Sequence, residues 1–184
     1  MKANKAALAA VVVIVLLAGG WWLVRRGSAG SPVDLMTAFD SAQKRPGPEL
    51  FSKVDASLNG ETKKAILIQP TVGTRLTYRV HVPDSAWLSV AVALQSDAWE
   101  KPGDGIKFYV HVSDGRGDEA LFSQHVDPFN NKSDRKWIPV MVDLSAYAGE
   151  DVDLMFNTYS SMPGRGENHD NDLALWGAPE IVIR

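Results

Sequence analysis

Cysteine is absent from this chain of 184 residues. Its absence excludes disulfide bonds, thiolate metal sites, a cysteine nucleophile and a lipid anchor on a cysteine. A strong excess of either charge is also missing, because 19 basic and 22 acidic residues leave a formal net charge of −3. Nucleic acid binding calls for a clustered basic face. The composition therefore indicates no nucleic acid partner.

Sequence signatures of catalysis are missing as well. The chain contains no G-x-S-x-G turn for a nucleophilic serine and no glycine-rich loop for a phosphate group. Its 4 histidines show neither H-x-H nor H-E-x-x-H spacing, so a zinc site is not expected. Asp151 and Asp153 share one face of a predicted strand, which is not the cleft that glycosidase chemistry needs. We therefore predict that the protein is not an enzyme.

Long amphipathic helices and internal repeats are not found in the sequence either. A parallel α/β sheet needs a helix between successive strands, and propellers and solenoids need a repeat of fixed length. Neither architecture is expected for this chain.

From residue 49 onward the sequence contains short segments in which apolar and other residues alternate. In residues 106–112 every even-numbered position is apolar, and the odd-numbered positions carry Lys107, Tyr109 and His111. The Asn59-Gly60 pair favours a tight hairpin. The pattern predicts an all-β fold, an antiparallel β-sandwich. The predicted strands are residues 51–58, 64–69, 76–82, 87–95, 106–112, 120–126, 137–144, 152–159, 173–176 and 180–183.

Residues 135–149 (RKWIPVMVDLSAYAG) run from one of these strands into a polar corner. Its even-numbered positions from 138 to 144 are apolar, and Asp143, Ser145 and Gly149 then mark a short turn from which Tyr147 points back to the domain. We interpret this stretch as part of the scaffold and expect function in the neighbouring loops, residues 96–105, 129–134 and 160–172.

The N-terminus carries an unbroken apolar run, residues 6–24, with Trp21 and Trp22 near its end and basic residues on both sides. As a helix it would span about 28 Å, close to the thickness of a bilayer core. We predict a single-pass membrane anchor at residues 1–26, with the C-terminal domain outside the cytosol. A cleaved signal peptide is the alternative. Residues 27–48 are predicted as a linker with a short helix, and residues 49–184 as the β-sandwich.

Three groups of segments carry a resemblance to a known family: GDGIKFYV at residues 103–110 with VSDG at 112–115, KWIPVMVDLSAYAG at 136–149 with VDLMF at 152–156, and NDLALWGAPEI at 171–181. Together they resemble the galactose-binding-domain-like jelly rolls, which include carbohydrate-binding modules and domains of bacterial envelope proteins. The resemblance covers residues 51–184 and implies a jelly roll preceded by the transmembrane helix. Because this fold hosts glycan-binding, protein-binding and structural members, it does not by itself define a ligand.

Two loops hold candidate ligand-binding residues. Trp99 lies among turn formers in residues 96–105, where an exposed indole could stack on a sugar; packing over a sandwich edge is the alternative. Asn130 and Arg135, in and just after residues 129–134, could hydrogen-bond sugar hydroxyls or simply form turns.

The longest polar loop, residues 160–172, carries further candidates. His169 and Asn171 are predicted ligand-binding residues, and Asp170 and Asp172 are predicted to hold a metal, calcium being the cation that prefers such oxygens. The loop does not match the EF-hand template. The alternative is a solvated loop in which Asp172 caps the final turn.

The function predicted from these observations is a non-catalytic, membrane-anchored binding module of the cell envelope that recognises carbohydrate. Its partners would be a glycan or an envelope protein, and the membrane. The alternative is a protein-interaction or scaffolding domain that supports a membrane partner. The first hypothesis predicts exposed aromatic side chains and glycan affinity, and the second predicts a contiguous apolar patch.

Overall fold

Strands dominate the computed structural model, which describes residues 32–71, 73–159 and 173–184. Short 3₁₀ turns are the only helices in these ranges, and none of them could cross a membrane. The predicted anchor at residues 1–26 lies outside the described residues. The strands are β1 Val33–Asp34, β2 Gln43–Arg45, β3 Phe51–Leu58, β4 Glu61–Ile68, β5 Arg75–His81, β6 Ala86–Leu94, β7 Ile106–Ser113, β8 Asp118–Val126, β9 Ile138–Asp143, β10 Asp151–Tyr159 and β11 Ala174–Ile183.

The strands form two antiparallel sheets. The six-stranded sheet has the order β3-β4-β11-β6-β9, with β1 also paired to β11. The five-stranded sheet has the order β2-β5-β10-β7-β8. Most neighbours in the sheets are not consecutive in the chain, so the connections cross repeatedly between the layers. This all-β, antiparallel arrangement confirms the predicted fold class.

The core lies between the two sheets and follows the predicted alternation. The four even-numbered side chains of β7 are almost fully buried, and its odd-numbered side chains are half-exposed. Trp176 from β11 packs its ring against Phe108 at 5.1 Å and Phe156 at 4.7 Å between centroids. Each such large apolar side chain contributes roughly 1.5–3 kcal/mol by its burial. The face of each strand that points away from the core is therefore the face available for binding.

The sandwich begins upstream of its predicted boundary at residue 49. Residues 33–45 were predicted to lie in a linker with a short helix, but they contain β1, one 3₁₀ turn and β2, which extend the two sheets. Leu35 and Phe39, whose spacing suggested a helix, are buried in the core. A helix this short is barely stable in isolation. The segment is more stable when it pairs with strands of the two sheets and buries both side chains.

The last strand also differs from the prediction. Two strands were expected at residues 173–176 and 180–183, whereas β11 is one strand with a bulge between Gly177 and Glu180. Ala178 adopts a φ of 44° at this point. The Gly-Ala-Pro sequence suggests a turn, but a bulge accommodates it within a strand, because a bulge tolerates both an unusual φ and a proline.

The polar corner at residues 143–149 has the predicted scaffold role. The Ser145 amide donates to Asp143 Oδ1 at 2.8 Å, and these hydrogen bonds to Ser145 hold the pKa of Asp143 below its usual value. Gly149 has a φ of 79° and donates its amide to the Val82 carbonyl at 2.8 Å. Tyr147 packs against the core and donates its hydroxyl to Glu119 at 2.6 Å. The corner thus joins β9 to the five-stranded sheet.

Candidate functional site

Arg135 ties together the two loops that were predicted to bind a ligand. Its Nε donates to the Pro128 carbonyl at 2.8 Å, and its Nη2 donates to the Trp99 carbonyl at 2.7 Å. Its Nη1 donates to the Glu100 carboxylate. Only 18% of its side chain is exposed. The structure therefore brings Trp99 and Arg135 together, and the guanidinium holds the two loops to each other.

Trp99 occupies a half-buried position against the six-stranded sheet. Its indole Nε1 donates to the Leu94 carbonyl at 3.1 Å. The ring packs on the outer face of this sheet beside Ala93, Trp137 and Leu175. This is the edge packing that was the alternative to sugar stacking, and a contact between Trp99 and a ligand stays a prediction.

Asn130 is exposed and bonded within its own loop. Its Nδ2 donates to Asp127 Oδ2 at 2.8 Å and its amide to Asp127 Oδ1 at 3.1 Å. A hollow beside this loop, in front of Phe129, measures about 10 Å³. That volume corresponds to about one water molecule, so this hollow cannot receive a sugar ring.

The remaining predicted residues, His169, Asp170, Asn171 and Asp172, lie outside the described residues. Within residues 32–71, 73–159 and 173–184, no three acidic or histidine side chains cluster as a metal site requires. Calcium binding by Asp170 and Asp172 stays a prediction.

The outer face of the six-stranded sheet is covered in part by the protein itself. Trp137, which is 5% exposed, lies over Gly177 and donates its Nε1 to the Glu61 carbonyl at 3.1 Å. The tip of the β3–β4 hairpin reaches the same region, where Asn59 Nδ2 donates to the Arg135 carbonyl. These contacts cover the part of the face around Gly177. Beside it, a hollow of about 140 Å³ stays open, lined among others by Val54, Leu67 and Leu175.

The outer face of the five-stranded sheet carries a different set of side chains. Its central strand, β10, lies between β5 and β7. In register, Asn157 lies opposite Arg75 on one side and Tyr109 on the other, while Tyr159 lies opposite Lys107. Because successive residues of a strand alternate between faces, these residues all share the side that points away from the core.

Three aromatic rings stand together on this face. The Tyr109 ring lies 5.5 Å from that of Tyr159, edge to face at 87°, and 5.8 Å from that of His111 at 55°. Tyr159 is 37% exposed. We call Tyr109, His111 and Tyr159 the tyrosine platform. Edge-to-face contacts hold the two phenol rings in a defined mutual orientation.

Polar groups flank the tyrosine platform. Arg75 Nε donates to Asn157 Oδ1 at 2.9 Å. Asn157 is 1% exposed, and its Nδ2 has no partner within the described ranges. Since a guanidinium has five N–H donors, this bond orients Arg75 and leaves its terminal amino groups without a hydrogen-bond partner in the described ranges.

His111 is an uncharged hydrogen-bonding group at neutral pH. Burial lowers its pKa below the ordinary value of 6.5, and the positive charge of Arg75 lowers it further, against a smaller opposing effect of Asp118. A neutral imidazole carries one donor and one acceptor. The platform therefore combines apolar ring faces with groups that can bind hydroxyls.

Sequence reasoning placed Tyr109 and His111 on the outward side of β7 but did not select them as a site. The available signal was the presence of aromatic residues at outward positions of two strands, Tyr109 and Tyr159. The sequence did not show that β7 and β10 are neighbours, because two other strands, β8 and β9, and three connections separate them in the chain.

No family model matches this sequence. A curated relative is an uncharacterized protein of Archaeoglobus fulgidus, 39% identical over 103 residues. The match covers 55% of this chain and 25% of the relative. This chain therefore spans about a quarter of the relative's length.

Several solved carbohydrate-binding modules are similar in structure. CBM51 from Clostridium perfringens GH95, in complex with methyl-galactose, has a TM-score of 0.57 at 17% identity, over 83% of this chain and 100% of that chain. CBM51-2 in complex with GlcNAc, with the INT domains of Clostridium perfringens ZmpB, has a TM-score of 0.56 at 14% identity, over 83% and 32%. TmCBM61 in complex with β-1,4-galactotriose has a TM-score of 0.51 at 11% identity, over 82% and 94%. At these identities the similarity shows a shared β-sandwich fold.

Proposed function

We propose that this chain is a non-catalytic carbohydrate-binding module and that the tyrosine platform is its binding surface. The observation that carries the proposal is the contact between Tyr109 and Tyr159 on the outer face of the five-stranded sheet, with Tyr159 37% exposed. Tyrosine offers an apolar ring against which the C–H groups of a sugar can pack, and its hydroxyl can bind sugar hydroxyls.

The polar neighbours of the platform suit a polyhydroxylated ligand. Small-molecule sites combine apolar surface with a few placed hydrogen-bonding groups. Here Arg75, held by Asn157, supplies donors, and the neutral His111 supplies a donor and an acceptor. The solved modules that share this fold provide the further support that their own complexes contain sugars.

The distribution of exposed apolar side chains favours the glycan over the alternative of a protein-interaction domain. Within the described ranges the large apolar side chains that are clearly exposed are Phe129, Met141 and Tyr159. They lie in a loop, on edge strand β9 and at the end of β10, respectively. Such scattered positions do not form the contiguous patch that a docking surface for a protein would present.

The proposal retains the remaining sequence-based expectations. Residues 6–24 would hold the module at a membrane, with the sandwich outside the cytosol. His169 and Asn171 would contribute ligand contacts and Asp170 and Asp172 a calcium site, since residues 160–172 follow Tyr159 directly in the chain. Trp99, Asn130 and Arg135 would form a second contact area in the loops.

A glycan array probed with the full chain tests the proposal. A polyoxyethylene detergent keeps the apolar N-terminus in solution without introducing a sugar headgroup. We expect binding to one class of glycan, and we expect Tyr109→Ala and Tyr159→Ala each to weaken it about ten-fold or more, as loss of an aromatic stacking contact of 1–3 kcal/mol would. The matched control is Met141→Ala, which removes an equally exposed apolar side chain outside both the platform and the loops.

Two results would contradict the proposal. If the chain binds no glycan, with or without calcium, the proposed carbohydrate-binding function is wrong. If Tyr109→Ala and Tyr159→Ala bind the glycan as tightly as the parent chain, the tyrosine platform is not the binding site. In that case Trp99→Ala and Asn130→Ala would show whether the loops bind instead.

A further inference from the structure

Three basic side chains gather around the tyrosine platform. Arg45 on β2 lies opposite Arg75 on β5 in the register of the five-stranded sheet. Lys107 on β7 places its Nζ 5.6 Å from the centre of the Tyr109 ring. Like charges on directly opposed residues destabilise a sheet. The Arg45–Arg75 pair therefore needs a compensating group.

The described part of the chain does not supply that group. Its salt bridges include none with Arg45, Arg75 or Lys107. The hydrogen bond of Arg75 is to Asn157, a neutral amide. Within the described ranges these three cations have no acidic partner.

The opposite end of the same face shows the usual arrangement. Arg79 pairs with Asp153 at 3.1 Å, and His81 pairs with Asp151 at 2.9 Å. Arg79 lies on the same strand and the same face as Arg75. The sheet thus separates into an end with paired charges and an end, at the platform, with unpaired positive charge.

Two further observations indicate a positive potential at the platform. The charge of Arg75 contributes to the lowered pKa of His111. The Nδ2 of Asn157, which lies on the same face, is a buried donor with no partner in the described ranges. A neutral ligand would not compensate this positive potential, whereas an anion would be attracted to it and would neutralise it.

We infer that the tyrosine platform binds an acidic glycan, in which a carboxylate or sulfate group of the sugar contacts Arg75 while the sugar ring packs on Tyr109 and Tyr159. Arg45 and Lys107 flank this anionic group. The planar guanidinium suits two parallel hydrogen bonds to such an oxyanion. The inference rests on the proposed function and specifies the ligand class of the same site.

The experiment compares an acidic glycan with its methyl ester, which keeps the same sugar chain without the charge, and with a neutral glycan of different linkage. The full chain, in the same detergent, is titrated with trigalacturonic acid, with its methyl ester and with β-1,4-galactotriose, and an array supplies sulfated, carboxylated and neutral glycans side by side. We expect an acidic glycan to bind about ten-fold or more tightly than its neutral counterpart, the effect of a charge-assisted hydrogen bond. The preferred anion, carboxylate or sulfate, follows from the array.

Variants locate the charge effect. Arg75→Gln and Arg45→Gln should each remove most of the preference for the acidic glycan, and the melting temperature of each variant checks that it is folded. Arg79→Gln, on the same strand and face, should retain the preference because Arg79 is paired with Asp153. An oligodeoxythymidine of equal charge serves as a general polyanion and should bind much more weakly than the acidic glycan.

The outcomes separate this inference from the proposed function. Tight binding of neutral glycans without preference for acidic ones would overturn the inference and leave the proposed function standing. Equal effects of Arg75→Gln and Arg79→Gln, or equal binding of the oligonucleotide, would also overturn it. Failure of every glycan to bind would overturn both.

Discussion

Replacing Gly177 with alanine should disturb the packing of Trp137 on the outer face of the six-stranded sheet. A Cβ added there would lie 2.7 Å from Trp137 Cζ3, 3.1 Å from Trp137 Cε3 and 3.0 Å from Lys63 Cδ. Real Cβ contacts are not this short, so the Trp137 ring has to move. Its Nε1 is held by the Glu61 carbonyl at 3.1 Å, and the ring is almost fully buried, so it cannot move freely.

The expected cost of Gly177→Ala follows from these contacts. Overpacking of a well-packed site costs about 1–3 kcal/mol, and loss of the indole hydrogen bond would add about 1 kcal/mol. We expect the free energy of unfolding to fall by about 2–3 kcal/mol. For a domain of this size that corresponds to a decrease in melting temperature of roughly 4–12 °C.

Urea denaturation followed by tryptophan fluorescence measures this change. The control is Gly117→Ala, because an added Cβ at Gly117 meets no atom within 4 Å. That variant should be neutral or slightly stabilising, by up to about 1 kcal/mol, through a less flexible unfolded chain. If the two variants unfold at the same urea concentration, Trp137 does not press on Gly177 and the account of this face is wrong.

Two further predictions concern pH and the N-terminal boundary. Because the pKa of His111 is lowered from 6.5 in the folded state, the unfolded chain binds more protons below that pH, and stability should fall as the pH decreases from about 7 to about 5. Urea midpoints should show a weaker decrease in His111→Gln than in the parent chain. Phe39→Ala should lower the free energy of unfolding by about 3–5 kcal/mol, whereas Gln43→Ala, at an exposed neighbour, should change it by less than about 0.5 kcal/mol. If Phe39→Ala and Gln43→Ala unfold at the same urea concentration, residues 33–45 do not contribute to the core and are a linker.

Strands with strict alternation were predictable because their burial pattern depends on local sequence alone. β3 has the predicted bounds Phe51–Leu58, and β7 and β10 differ from prediction by a single residue at one end. The segment around Leu35 and Phe39 was not predictable in the same way. Its apolar spacing is compatible with a helix or with two short strands, and the sheet edges that it joins are built from residues far along the chain.

The candidate site shows the same limit. Trp99 and Arg135 were expected in neighbouring loops and do lie together, but local sequence does not show that the carbonyl groups of Pro128 and Trp99 accept the guanidinium hydrogen bonds. Conversely, Tyr109 and Tyr159 each appear in the sequence as one outward aromatic residue in an ordinary strand. Only the pairing of β7 with β10 places their rings 5.5 Å apart.

The sequence by itself determined the class of this protein: an all-β sandwich without disulfides, since alternation at period two and the lack of cysteine are properties of the chain alone. The tertiary structure decided what each outer face carries. Trp137 and the β3–β4 hairpin cover part of one sheet, and strand order collects Arg75, Tyr109 and Tyr159 on the other. The physical reason is that the face of a residue is set by its own strand, whereas its neighbours are set by strands that are distant in sequence.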